Sequence, residues 1–398
     1  MKPGAASGDP LGEQASAVLE VVRRFVAREV RPAVAQLERG GAYPQALVEQ
    51  MCGMGLFGIG IAEAHGGLGL SLVTVARVLE ELASGWTTLA AYLNSHSTVA
   101  YLVGRHGTSE QQARHLPAMA AGTVRGALCL TEPSAGSDLQ AITTVARPSG
   151  AALTINGTKI YVTNGARASL LAVLVKTDPA AVPAKAGMSL LLVDAAQQGV
   201  SVGSTYRKMA YGHVDTVEIV FQDATVPALA VLGGKPGRGL SQLLDGLEVG
   251  RLAIAASAVG LAAAALAEAR RYASGRRAFG VTIDHHQAIQ LRLADMATRL
   301  VAARLLTAEA ARQKDTGARA DLACGMAKLY ASEACLGIVG DALRIHGGHG
   351  YINDYAIERL YREAPLYIVG EGTNDIQKIL IARRLLAGGD DAFLGLPS

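Results

Sequence analysis

The hydrophobic pattern of this 398-residue chain changes period twice, and this constrains its fold more than any single motif. Up to about residue 122 the apolar residues recur at helical spacing. Val18, Val22, Phe25 and Val26, for example, form one stripe that can face a core. Pro44 suits the first turn of a second helix, an apolar-periodic stretch runs from 71 to 91, and Ser109 with Gln112 makes a capping-box pattern. From about 123 to 239 short strand-like runs take over, at 151–155, 159–163, 170–176, 188–193 and 216–221. Asn156-Gly157 between the first two is a hairpin signal. No helix-length segment separates the runs, which predicts antiparallel pairing. From about 240 helices return, at 240–274, 286–314 and 319–344, with a shorter one after Thr373. Long helices with short connections predict an antiparallel bundle. The expected fold is α+β and mostly α: a helical domain over 1–122, an antiparallel β domain over 123–239 and a helical bundle over 240–398.

Half the residues are hydrophobic and 18% are charged, a globular balance that excludes a disordered chain. A net charge of +3 gives no reason to expect a nucleic-acid partner. Cys52, Cys129, Cys324 and Cys335 form no C-x-x-C, so neither a zinc site nor a redox pair is signalled, and a reducing interior suits them. The opening MKPGAASGDP lacks the apolar centre of a signal peptide. The apolar run 252–267 is short for a bilayer span and lies between Arg251 and Glu268, so it reads as a buried helix. No membrane and a cytoplasmic location are expected.

Four segments carry chemistry or imitate it. Residues 53–58 fit G-x-G-x-x-G, but a helix precedes them and no helix opens at their end, so a glycine-rich helix exit is the better account. His346-Gly347-Gly348-His349 holds two histidines with no third metal ligand nearby; its glycines either admit a ligand close to the backbone or end a helix. Residues 131–138, TEPSAGSD, offer hydroxyls and exposed backbone N–H groups that suit a planar polar ligand or phosphates, or else form an ordinary turn. In Gly370-Glu371-Gly372-Thr373 a carboxylate stands between glycines just before a helix. Burial beside an apolar ligand would make it a usable base; the alternative is an acid stabilised by the helix dipole.

Taken together, LTEPSAGSDL (130–139), YVTNGA (161–166), RRAFG (276–280), HQAIQ (286–290), RIHGGHGY (344–351) and GEGTNDIQKILIARRLL (370–386) resemble the acyl-CoA dehydrogenase family, in family order over about residues 15–386. LADMATRLVAARLL (293–306) looks like the short- and branched-chain members. The resemblance implies a C-terminal four-helix bundle, FAD, a homotetramer, an acyl-CoA or acyl-carrier thioester as substrate and an electron-transfer flavoprotein as partner. It implies that Glu371 removes the α-proton while the β-hydrogen passes as hydride to flavin N5. The enolate oxygen would be held by a ribityl hydroxyl and by the base's own backbone N–H.

By the same resemblance Leu128, Leu130, Thr131, Gly136, Ser137, Tyr161, Val162 and Thr163 lie against the flavin ring. Arg276, Phe279, Gln287, Arg344, Gly347 and Gly348 reach the FAD of a neighbouring subunit, and Thr373 and Asp375 open a helix toward phosphate. Ser137, Glu248, Arg251, Gly370 and Gly372 lie near the thioester; read alone, Glu248 and Arg251 would be a surface pair three apart on a helix. Ala278 stands where many members have Thr, and Asp375 where Gln or Glu is usual. Gly250 stands where isovaleryl-type and long-chain members carry their base, which leaves the role to Glu371. Gly370 stands where medium-chain members carry Tyr, which predicts room for a branched or bulky acyl group. The alternatives on this scaffold are an acyl-CoA oxidase, an acyl-carrier-protein dehydrogenase or a non-catalytic acyl-thioester-binding oligomer.

Overall fold

The computed structural model describes residues 12–388 and 391–394; the opening MKPGAASGDP segment lies outside the described residues. Among the described residues six α-helices come first: α1 (Glu13–Phe25), α2 (Arg31–Gly40), α3 (Gln45–Gly53), α4 (Leu72–Gly85), α5 (Thr87–His106) and α6 (Ser109–Ala120). Of the expected stripe, Val22, Phe25 and Val26 are buried and Val18 is half-buried against the same core, which Leu19 also joins. Pro44 sits at the cap of α3, and Gly55, at φ +71°, takes the chain out of that helix into a 3₁₀ turn.

Two helix boundaries differ from the expectation. The stretch 71–91 is broken at Trp86, whose extended backbone ends α4 while its indole is fully buried. The capping box is formed by Thr108 and Gln111, one residue earlier than Ser109 and Gln112, because Thr108 has the extended backbone that an N-cap needs.

Seven strands follow: β1 (Gly126–Cys129), β2 (Val145–Ser149), β3 (Ala152–Thr163), β4 (Leu170–Lys176), β5 (Met188–Asp194), β6 (Val200–Thr205) and β7 (Thr216–Pro227). They form one sheet in the order β1-β4-β2-β3-β7-β6, with β5 also paired to β4. Pairing is not uniformly antiparallel: β1 runs parallel to β4, and β2 meets β4 in parallel at its first residue. Asn156-Gly157 is not a hairpin turn either. It is a bulge inside the continuous strand β3. The Asn156 side chain bonds both the backbone N–H and the carboxylate of Asp223 on β7, which keeps the strand paired. Gly157 lies so close to β2 that a Cβ there would stand 2.4 Å from Thr144 Oγ1. The dipeptide serves a close approach between paired strands, and the sequence pattern alone does not distinguish that from a turn.

The helices α7 (Gly239–Gly275), α8 (Gln287–Asp315) and α9 (Asp321–His346) then pack together; a two-stranded hairpin, β8 (Arg277–Ala278) and β9 (Val281–Thr282), joins the first two. The short helices α10 (Ile357–Glu363) and α11 (Leu366–Val369) lead to α12 (Asn374–Ala387), which lies on α9. α7 is the central rod, in contact with α4, α5, α8, α9 and β5. The apolar run 252–267 lies within α7. Both α7 and α9 are long and apolar enough to cross a membrane, but most of each is buried inside the protein. At the far end of α8, Asp315 accepts hydrogen bonds from the first N–H groups of α4, and Lys314 bonds Asp245 and Glu248 of α7. These ties hold α7 in a fixed register beneath the site.

Candidate active site

Glu371 stands on the turn between α11 and α12. α12 begins where Thr373 accepts a hydrogen bond from Ile376 N, so the helix starts at the expected residue. Glu371 itself has φ +54°, and Gly372 follows at +84°. A left-handed glutamate is strained backbone, and such strain persists only where the surroundings enforce it. Among the described residues six non-glycine positions share this conformation: Tyr161, Asn164, Tyr211, Asp223, Phe279 and Glu371. Three of these six are site candidates.

The Glu371 carboxyl lies over Gly250 of α7: a Cβ at Gly250 would stand 2.7 Å from its Oε2. Burial raises the carboxyl's pKa above the usual carboxylate value, and the nearby charges of Arg251 and Lys328 oppose that rise. Arg251 is buried, and its Nε has no partner among the described residues. The backbone N–H of Glu371 also makes no hydrogen bond within the described residues. A carboxyl, a guanidinium and a free amide donor therefore meet at one turn. Gly370 and Gly372 flank the turn, and Asp375 is exposed in the first turn of α12.

A second group forms on the sheet. In β3 the register shifts again between Lys159 and Val162, so Ile160 and Tyr161 together oppose one residue of β7. This bulge, with φ +56° at Tyr161, turns that ring outward, where it is 59% exposed and meets the Tyr206 ring at a tilt of 49°, while Val162 stays buried. Leu128, Leu130, Thr131 and Thr163 are half-buried, and Gly136 and Ser137 are exposed on the adjoining loop. The loop is fastened from beneath. Lys159 Nζ donates to Glu132 Oε1 at 2.7 Å and to Leu130 O at 3.0 Å, and Ile160 N donates to Thr131 O at 2.8 Å. Glu132 also accepts from Thr143 N, Thr143 Oγ1 and Thr144 N. Both Glu132 and Lys159 are buried. The result is a fixed, half-apolar wall with a hydroxyl and amide rim, a surface that fits a planar ring with polar edges.

The remaining candidates sit on outward surfaces. Phe279, at φ +50° and 96% exposed, is at the tip of the β8–β9 hairpin, with Arg276 at its base. Gln287 opens α8, and Arg344, Gly347 and Gly348 lie at the exposed end of α9. The surface-pair reading of Glu248 and Arg251 is corrected, since both are buried. They do not pair, because Glu248 accepts from Lys314 Nζ at 2.7 Å and Ala320 N at 3.0 Å. At the C-terminal end of α9, which also carries Arg344, Gly347 ends the helix, His346 bonds Ala342 O, and His349 accepts from or donates to the Tyr272 hydroxyl.

The sequence reading missed Lys328, Lys159 and Glu132. Lys328 had a signal: it is the lone charge in the apolar stretch of α9 between Asp321 and Glu333. Lys159 and Glu132 had none, since one sits in a strand of ordinary composition and the other in a turn-forming loop.

Residues 12–123, 127–224 and 237–386 match the family models "Acyl-CoA dehydrogenase, N-terminal domain", "middle domain" and "C-terminal domain". Over 378 residues the chain is 36% identical to a 3-(aryl)acrylate reductase of Clostridium sporogenes, covering 94% of this chain and 99% of the relative. Over 370 residues it is 36% identical to an acyl-CoA dehydrogenase of Bacillus subtilis, covering 93% and 97%. Among solved structures, butyryl-CoA dehydrogenase from Megasphaera elsdenii superposes with a TM-score of 0.92 at 31% identity, covering 96% of this chain and all of that one. The chain belongs to the acyl-CoA dehydrogenase family. It is thus a flavin-dependent oxidoreductase acting on CH–CH donors, with FAD as its cofactor.

Proposed function

We propose that the protein carries out α,β-dehydrogenation of a short or branched acyl-CoA thioester to the trans-2-enoyl thioester, with Glu371 as the base. The observation that carries this reading is the enclosed Glu371 carboxyl on a left-handed turn over Gly250. One hydrogen leaves the α-carbon as a proton to Glu371, the other leaves the β-carbon with its electron pair, and the double bond forms between the two carbons. FAD, when bound, supplies the acceptor for that hydride. A thioester α-proton is weakly acidic, so removing it requires a base beside the carbon and a donor at the carbonyl oxygen. The free Glu371 N–H is that donor on the protein's side. Arg251, Gly370, Gly372 and Ser137 line the thioester's approach, and Glu248 supports Arg251's helix through its bond to Lys314.

In this reading Leu128, Leu130, Thr131, Gly136, Ser137, Tyr161, Val162 and Thr163 hold the flavin ring. Phe279, Arg276, Gln287, Arg344, Gly347 and Gly348 face outward to complete the FAD site of a neighbouring copy, and Thr373 and Asp375 open α12 toward phosphate. The working unit is a homotetramer in the cytoplasm that passes electrons to an electron-transfer flavoprotein. The reductase from C. sporogenes supports a second direction, in which the Glu371 carboxyl returns the proton to the α-carbon.

Anaerobic addition of a panel of acyl-CoAs to the FAD-loaded enzyme tests the reading. Loss of flavin absorbance is expected to be fast with butyryl- or isobutyryl-CoA; no bleaching by any member would contradict it. If Gly370 opens space over the base, isobutyryl-CoA is turned over at least as well as butyryl-CoA.

Two further outcomes follow from the geometry. Because the base must be ionised and its pKa is raised, kcat/KM should climb with pH through a midpoint above 4.5 and then level off. A pH–rate profile with its acid limb at or below 4.5 would contradict this. Gly250→Ala places a methyl against Oε2 and should lower kcat about tenfold or more, since small misplacements of a reacting group are costly. Steady-state kinetics on the flavin-replete variant check it.

A further inference from the structure

Lys328 is wholly buried in α9, and its ammonium lies against the turn that carries Glu371. Its three hydrogen bonds all end in one short segment: Ile368 O at 3.0 Å, Gly372 O at 2.9 Å and Asn374 Oδ1 at 2.7 Å. These bonds use every donor an ammonium has, and all three acceptors are neutral. A buried charge without a bonded counter-ion is costly, so its retention requires a compensating role or a nearby opposite charge. Glu371 lies between the first and second of these acceptors. One ammonium thus fastens the chain just before and just after the strained residue, and Gln377 Nε2 adds a second bond to Gly372 O at 3.2 Å.

We infer that Lys328 is a positioning residue for Glu371: it pins both sides of the left-handed turn so that the carboxyl stays over Gly250, and its charge favours the ionised base. The inference rests on the proposed role of Glu371. The charged and titratable groups around the pair are few. From α7 come Arg251, which also favours the ionised base, and Glu248, bound to Lys314. From α9 come Glu333, which accepts from Asn374 Nδ2, the thiol of Cys324, and Asp321, which is paired with Arg319. Burial pulls Lys328 down to about 8, opposed by Glu371, so the ammonium is the form present at neutral pH and below.

The test uses FAD-loaded Lys328→Met, Lys328→Arg and Asn374→Ala beside the parent and Glu371→Gln. In Lys328→Met, kcat should fall about 100-fold with KM changed little, as expected when a reacting group is misplaced while substrate binding stays intact. Its acid limb should move to higher pH, because a positive charge beside the base is gone. Lys328→Arg keeps the charge but its planar fork does not fit three acceptors converging on one point, so the acid limb should stay near the parent's while kcat remains low. Asn374→Ala removes one of the three bonds and should lower kcat severalfold without moving the acid limb. Flavin content and circular dichroism monitor folding. If Lys328→Met does not hold FAD, Asn374→Ala decides alone: lowered kcat at unchanged KM supports the inference, and parental kcat overturns it. A flavin-replete Lys328→Met with parental kcat and an unmoved acid limb also overturns it. If Glu371→Gln is inactive in that case, only this inference falls; if Glu371→Gln is active as well, the assignment of the base falls with it.

Discussion

Glu371→Gln is expected to lose about 100- to 10,000-fold in kcat, the range that a well-placed general base supplies. The amide keeps the shape of the side chain, so the turn, the contact with Gly250 and FAD content should all survive. KM should change far less than kcat, because the lost interaction belongs to proton transfer and not to ground-state binding. The stability signature has a definite sign. Glu371 has a raised pKa in the fold, so the parent is most favoured relative to the glutamine variant below pH 4.5. That advantage should decline as pH rises through the raised pKa and then stay constant. Denaturation of both proteins across pH measures this, and a parent that gains on the variant with rising pH would contradict it.

The second large effect is expected beneath the wall proposed to hold the flavin. Lys159→Met removes one partner of a wholly buried ion pair and strands Glu132 with only its N–H and hydroxyl donors. Breaking such a pair costs about 3–5 kcal/mol, and here it also releases the Leu130–Thr131 segment that Lys159 holds. Purified Lys159→Met should therefore unfold at markedly lower denaturant and retain little FAD. Replacing both partners by apolar residues, Lys159→Met with Glu132→Leu, should recover part of the stability, because no uncompensated charge remains. Burial acts to raise the Glu132 pKa, but Lys159 and the donors outweigh it and hold the carboxyl at about 2. The pair's contribution is then fully present above pH 4.5 and is lost as pH falls toward about 2, a loss the double variant should not show. A single variant as stable and as yellow as the parent would contradict this role.

The helix–sheet–helix order was legible because burial imposes its period on long segments, and α7, α8 and α9 fall within a few residues of the spans read from pattern. The errors cluster where tertiary contact overrides local signal. Asn156-Gly157 has turn chemistry, yet Asp223 and Thr144 recruit it into a bulge. β1 and β2 were missed because strands four and five residues long show too few alternations, and their partners are distant in sequence. At the site, Glu371 and its glycines were readable as a motif. The left-handed backbone at Tyr161, Phe279 and Glu371 was not, since these residue types do not announce a positive φ. The fastening by Lys159 and Lys328 joins residues 27 and 44 apart in sequence to the segments they hold, and only the fold brings them together.

The central claim is that Glu371 takes the α-proton. It is tested most directly by hydrogen exchange at that carbon, with redox chemistry removed. An acyl-CoA whose β-carbon is replaced by sulfur has acidic α-hydrogens but no β-hydrogen to lose. Incubated in deuterated buffer with the FAD-loaded parent, it should take up deuterium at the α-carbon, visible by mass spectrometry. With flavin-replete Glu371→Gln the uptake should fall to the enzyme-free rate. Uptake by the variant at the parental rate would contradict the account.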